Sequence, residues 1–88
     1  MQYNRLLFFT LFQRYGQHYW LVDIQMDCSQ TQGGWFELKA VVNGQWEANI
    51  NGQTCGTPPY SSSNHWAKCG YKNVFHFNSG ECEIQDLS

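Results

Sequence analysis

Apolar and polar residues alternate most regularly between Trp35 and Ile50, in the string WFELKAVVNGQWEANI. Phe36, Leu38, Ala40 and Val42 interleave with Trp35, Glu37, Lys39 and Val41, the period of two that marks a half-buried strand. Asn43-Gly44 then signals a hairpin turn. Two registers follow from two loop lengths. A two-residue loop sets Val42 opposite Gln45 and points Trp46, Ala48 and Ile50 away from the Phe36 face. A three-residue loop, Asn43-Gly44-Gln45, pairs Val42 with Trp46, Ala40 with Ala48 and Leu38 with Ile50, so that every apolar side chain of the hairpin shares one face. A slip of one residue turns a whole strand over, so a single buried face favours the three-residue loop, with Gly44 at positive φ. In that register Trp46 is core and Trp35 lies on the polar face beside Glu37 and Lys39.

The same alternation predicts further strands. In Tyr19 to Cys28, Trp20, Val22, Ile24, Met26 and Cys28 face inward, and Leu21, Asp23, Gln25 and Asp27 face outward. Lys72 to Phe77 places Phe75 and Phe77 inward and His76 outward, and Glu81 to Gln85 places Cys82 and Ile84 inward. Between the hairpin and these last strands runs Thr54 to Cys69, where Pro58-Pro59 and Ser61-Ser62-Ser63 argue for a long irregular connection. Residues 1–18 admit two readings. Leu6 to Phe12 is an apolar run behind Arg5, similar to the start of a secretory signal but with no small-residue cleavage site after it, and far too short to span a membrane. We read it as an extra strand, turned at Tyr15-Gly16. No stretch keeps a helical period, and no repeat or linker divides the chain, so the expectation is one all-β domain over residues 1–88: a small antiparallel β-sandwich.

At 88 residues, a single core needs help. Cys28, Cys55, Cys69 and Cys82 are an even set in a short chain and point to two disulfides and a secreted, extracellular protein. Three connectivities are possible. The expected one joins Cys55 to Cys69, stapling the long connection, and Cys28 to Cys82, tying the early strand to the last. No C-x₂-C pair is present, and His65 with Cys69 makes only half a zinc site, so no metal or other cofactor is expected.

Only 14% of residues are charged and the formal net charge is −2, which argues against nucleic acid, a partner that needs clustered Lys and Arg. Nucleophile elbow, phosphate loop and zinc-protease helix are all missing, and neither Asp23/Asp27 nor Glu81/Glu83/Asp86 forms the separated carboxylate pair of a glycosidase. Disulfides would consume the thiols of any Cys–His nucleophile. No catalytic residue is therefore assigned. Aromatic residues reach 17%, on a surface rich in Asn, Gln, Ser and Thr, and that combination suits a neutral, hydroxylated ligand. Sugars lay flat C–H faces on Trp or Tyr rings, and burying about 70 Å² this way gives roughly 2 kcal/mol. The candidate binding residues are Trp35, Trp66, Tyr60 and Tyr71, with His65 between Tyr60 and Trp66 in the long connection.

The string GGWFELKAVVNGQWEANI resembles the strand–turn–strand of the small carbohydrate-binding modules appended to α-amylases as starch-binding domains. NHWAKCGYKNVFHFNSGECEI is similar to the cysteine-containing ends of such domains, and the likeness runs from about Tyr19 to Leu87. It implies an immunoglobulin-like sandwich that binds α-glucan without catalysis, joined to the catalytic domain of a parent enzyme, with paired aromatics, here Trp35 and Trp66, as the sugar platform. A secreted, disulfide-stabilised effector or inhibitor, using the same aromatics as protein-contact hot spots, is the alternative.

Overall fold

A computed structural model describes residues 7–10, 21, 23–42 and 44–87. The chain builds a small all-β sandwich of two sheets stapled by two disulfides, with no α-helix among the described residues. The larger sheet is organised on β2 (Trp35–Val42), which pairs with β1 (Leu7–Thr10), β3 (Gln45–Trp46) and β4 (His65–Lys68). The smaller sheet is the antiparallel hairpin of β5 (Lys72–Phe75) and β6 (Cys82–Gln85).

β1 runs parallel to β2 from Leu7↔Leu38 to Thr10↔Val41. It thus occupies one edge of β2 over the residues where β3 meets Val41 and β4 meets Leu38, so β3 and β4 share the opposite edge, end to end. Both faces of β2 are covered: Trp35 and Val41 on one and Phe36 and Leu38 on the other are all buried. Phe36, Leu38 and Ala67 form the centre of the core, with Met26, Cys69 and Phe75 packed on it.

Several expectations are corrected. Val42 pairs with Gln45 and Val41 with Trp46, so the turn has two residues, not three. Gly44 does take positive φ, at 77°. A single shared apolar face would require both arms to remain in the sheet along their length, and they do not. β3 ends at Trp46, and the buried positions beyond it are Glu47 and Ile50. The two tryptophans exchange roles: Trp35 is buried and Trp46 is 53% exposed.

From Asp23 to Asp27 the chain follows the expected alternation, with Ile24 and Met26 half-buried and Asp23, Gln25 and Asp27 exposed, but it joins no sheet. It ends in a 3₁₀ turn, Cys28–Gln30, capped by the Asp27 carboxylate, which accepts from Ser29 N at 3.0 Å. Phe77 lies beyond the end of β5 and is exposed instead of inward. The connection expected to be irregular contains β4, whose partners lie far back in the chain. The turn at Tyr15-Gly16 and the inward placement of Trp20 and Val22 fall outside the described residues.

The disulfides join Cys28 to Cys69 and Cys55 to Cys82, not Cys55 to Cys69 and Cys28 to Cys82. β4 explains the exchange. It carries Cys69 back along β2 to the 3₁₀ turn that holds Cys28, with Cys69 N donating to Gly34 O at 2.7 Å. The loop holding Cys55 then falls beside β6, where Thr54 N donates to Gly80 O at 2.8 Å.

Candidate binding groove

The expected platform is not assembled. Trp35, Trp66 and His65 are all buried, which removes three of the five predicted binding residues from the surface. Lys68 Nζ lies 4.9 Å from the centroid of the Trp35 ring, and Gly56 passes beneath it so closely that a Cβ there would meet Trp35 Cη2 at 2.4 Å. Trp66 is locked at the backbone: its N–H donates to Gln53 Oε1 at 2.7 Å and its carbonyl accepts from Gln53 Nε2 at 2.9 Å. Tyr60 and Tyr71 are exposed but belong to different places. Tyr60 packs edge-on against Trp66, ring centres 5.0 Å apart, and donates to Glu37 Oε2 at 3.2 Å. Ser62 Oγ and Asn64 Nδ2 donate to the other oxygen of Glu37, which pins this loop onto β2. Tyr71 borders the shallow hollow over Trp35, with Thr57, Lys68 and Ile84.

The exposed aromatics that do share a groove are Trp46 and Phe77, the latter 49% exposed. Val42, Gln45, Ala48 and Asn78 complete its lining, around an open volume of about 440 Å³. Each wall comes from a place where a strand has just ended: Trp46 closes β3, and Phe77 follows β5. Past Trp46 one further backbone hydrogen bond, Glu47 N to Ala40 O at 2.9 Å, follows the strand, and both rings keep about half of their surface in water. None of the six lining side chains is ionisable, so the groove offers apolar surface and amide hydrogen bonds without a charge of its own. Asn78 takes φ = 63°, a left-handed conformation that asparagine tolerates better than most residues. Its Oδ1 accepts from Ala48 N at 2.9 Å.

Behind the groove lies a buried ion-pair geometry. Glu47 Oε2 stands 2.6 Å from His65 Nε2, and both side chains are almost fully enclosed. The same oxygen accepts from Asn78 N at 2.8 Å, and Oε1 accepts from Ala40 N at 3.2 Å. Burial pushes the Glu47 carboxyl up, but the hydrogen bonds from His65, Asn78 and Ala40 and the attraction of His65 together outweigh it and hold the group below its ordinary value. Phe75 covers the imidazole, ring centres 4.6 Å apart. His65 Nδ1 is buried with no hydrogen-bond partner among the described residues. The pair is sealed from solvent and ties β4 to the segment after β3. Among the described residues no three His, Cys, Asp or Glu side chains gather as metal ligands.

Trp46 and Phe77 escape the sequence reading because the three-residue register buries the first and strand parity buries the second. The signal that locates Trp46 correctly is present in Asn43-Gly44 itself, whose commonest hairpin loop has two residues. No family model, curated protein or solved structure matches this chain.

Proposed function

We propose that this chain is a non-catalytic carbohydrate-binding module that takes a neutral polysaccharide, α-glucan before others, in the groove between Trp46 and Phe77. The observation that carries the reading is the pair of exposed rings on one uncharged groove. Exposed aromatic surface packs against the C–H surface of a hexose, worth roughly 2 kcal/mol per stacked sugar. Gln45 and Asn78 supply amide groups for hydroxyls at the rim. Two stacked sugars with a few hydrogen bonds give dissociation constants of roughly 1 mM to 1 μM. The likeness to starch-binding domains supports α-glucan as the first ligand and a polysaccharide-degrading parent enzyme as the context. Two disulfides support an extracellular setting, and no helix among the described residues is long and apolar enough to cross a membrane.

Calorimetric titration with maltoheptaose, beside gel retardation by amylose, cellulose and chitin, tests the proposal. Trp46→Ala and Phe77→Ala should each weaken maltoheptaose binding about thirtyfold, the equivalent of roughly 2 kcal/mol. Tyr60→Ala and Tyr71→Ala should leave it within about twofold, since neither residue lines the groove. Full affinity in both groove variants would move the site elsewhere. Failure of the unmodified domain to bind any of these glycans would overturn the function and favour the secreted protein-interaction module.

A further inference from the structure

We propose that Glu47 is the positioning residue of this groove: its buried carboxylate clasps the strand that carries Trp46 to the turn that carries Phe77, and so fixes the spacing of the two rings. The inference rests on reading the groove as the glucan site, but the clasp can be measured without any ligand.

Glu47 directly follows Trp46, and Asn78 directly follows Phe77. Glu47 Oε2 accepts from Asn78 N at 2.8 Å, and Asn78 Oδ1 accepts in return from Ala48 N at 2.9 Å. The two walls are thus joined by a reciprocal pair of hydrogen bonds, one residue away from each ring. No strand ladder joins them there, because β3 stops at Trp46 and β5 at Phe75. Neither disulfide anchors a lining residue: one bridge joins Cys28 to Cys69 and the other Cys55 to Cys82.

The chemistry calls for a carboxylate. Three donors converge on its two oxygens: the N–H groups of Ala40 and Asn78, and the Nε2–H of His65. An ionised carboxylate accepts at both oxygens and donates at neither. A glutamine in its place has one accepting oxygen, and its NH₂ must face at least one of the same donors. Protonation of Glu47 has the same consequence, since one oxygen then carries a hydrogen toward a donor. Its sign follows from the lowered position of the carboxyl. The clasp is complete above the ordinary carboxyl range and is lost as pH falls through that lowered value. Among the described residues that bond Glu47, β4 presents the one ionisable group, His65, while β2 and the β5–β6 turn present backbone N–H groups.

The test uses the whole domain in three measurements: maltoheptaose titration at pH 7 and downward, amide hydrogen exchange at Ala40 and Asn78, and carbon NMR of the Glu47 carboxyl. Glu47→Gln should stay cooperatively folded, exchange the Ala40 or the Asn78 amide at least tenfold faster, whichever the new NH₂ faces, and bind maltoheptaose about tenfold more weakly. In the unmodified domain, Asn78 protection and maltoheptaose affinity should fall together along the Glu47 titration. In Glu47→Gln that acid-dependent loss should vanish. Unchanged exchange of both the Ala40 and the Asn78 amides in Glu47→Gln, or unchanged maltoheptaose affinity where Trp46→Ala has lost it, overturns the proposal. If Glu47→Gln does not fold, the titration of the unmodified protein decides: Asn78 protection that ignores the Glu47 carboxyl overturns the clasp. If maltoheptaose does not bind at all, the glucan reading falls, and amide exchange alone then decides whether the clasp exists.

Discussion

Trp35 and Trp46 stand on the two arms of one hairpin, and the fold treats them in opposite ways. Trp35 lies where β4 pairs with β2. Lys68 lies over its ring, the Gly56 backbone runs beneath it, and a disulfide at the neighbouring Cys55 binds that loop to β6. Trp46 lies where β3 has run out, on a groove whose walls meet through hydrogen bonds to Glu47 and Asn78. The difference is not in the rings. It lies in what distant segments of the chain bring to each end of β2. One end is held by a disulfide, and the other by hydrogen bonds beside a solvent-facing groove.

The sharpest way to break the comparison is to delete the covered ring. Trp35→Ala should destabilise the domain by about 3–5 kcal/mol, the usual cost of removing a buried large aromatic, read as a lower urea midpoint. Next in size is the staple beside it. Replacing Cys55 and Cys82 together by serine releases a loop of sequence separation 27, worth about 3.5 kcal/mol in the chain-entropy account, and should lower the melting temperature accordingly. Gly56→Ala sharpens the same point at lower cost. Gly56 has φ of 74°, and the added methyl would run into the Trp35 ring, so a loss of roughly 1–3 kcal/mol is expected in denaturant titration.

The same contrast explains which parts of the fold could be seen in the sequence. The strand at β2, the strands at β5 and β6, the positive φ of Gly44 and the bridging of all four cysteines are local or compositional, and residue patterns carry them. The partner choices are not local. Parity along β2 cannot announce that both of its faces are covered, because the cover comes from distant residues: Met26 and Phe75 on the core cluster of Phe36 and Leu38, and the Gly56 loop on Trp35. A run containing two prolines and three serines hides a four-residue strand that only its pairing with β2 defines. That strand moves Cys69 to Cys28 and so exchanges both disulfides. Glu47 is the clearest case. A carboxylate in a strand reads as solvent-facing, and only the arrival of His65, Asn78 and Ala40 at hydrogen-bond distance makes its burial tolerable. For the candidate site, the aromatic-rich, charge-poor character of the groove is legible in the composition, but its residues are not, because their exposure depends on where β3 stops.

The smallest expected effect completes the contrast. Trp46→Ala should change folding stability by no more than about 0.5 kcal/mol, against about 3–5 for the same substitution at Trp35. More than half of the Trp46 surface is already in water in the folded state, so most of its area is not withdrawn from solvent on folding. Its backbone is paired with Val41, and that pairing does not depend on the indole. The buried neighbour that follows it, Glu47, keeps its bonds to His65, Ala40 and Asn78 after the ring is gone. Guanidinium titrations of the two alanine variants, run side by side, measure the difference directly. A loss at Trp46 approaching that at Trp35 would mean that the ring serves the fold of the groove wall more than it serves a ligand.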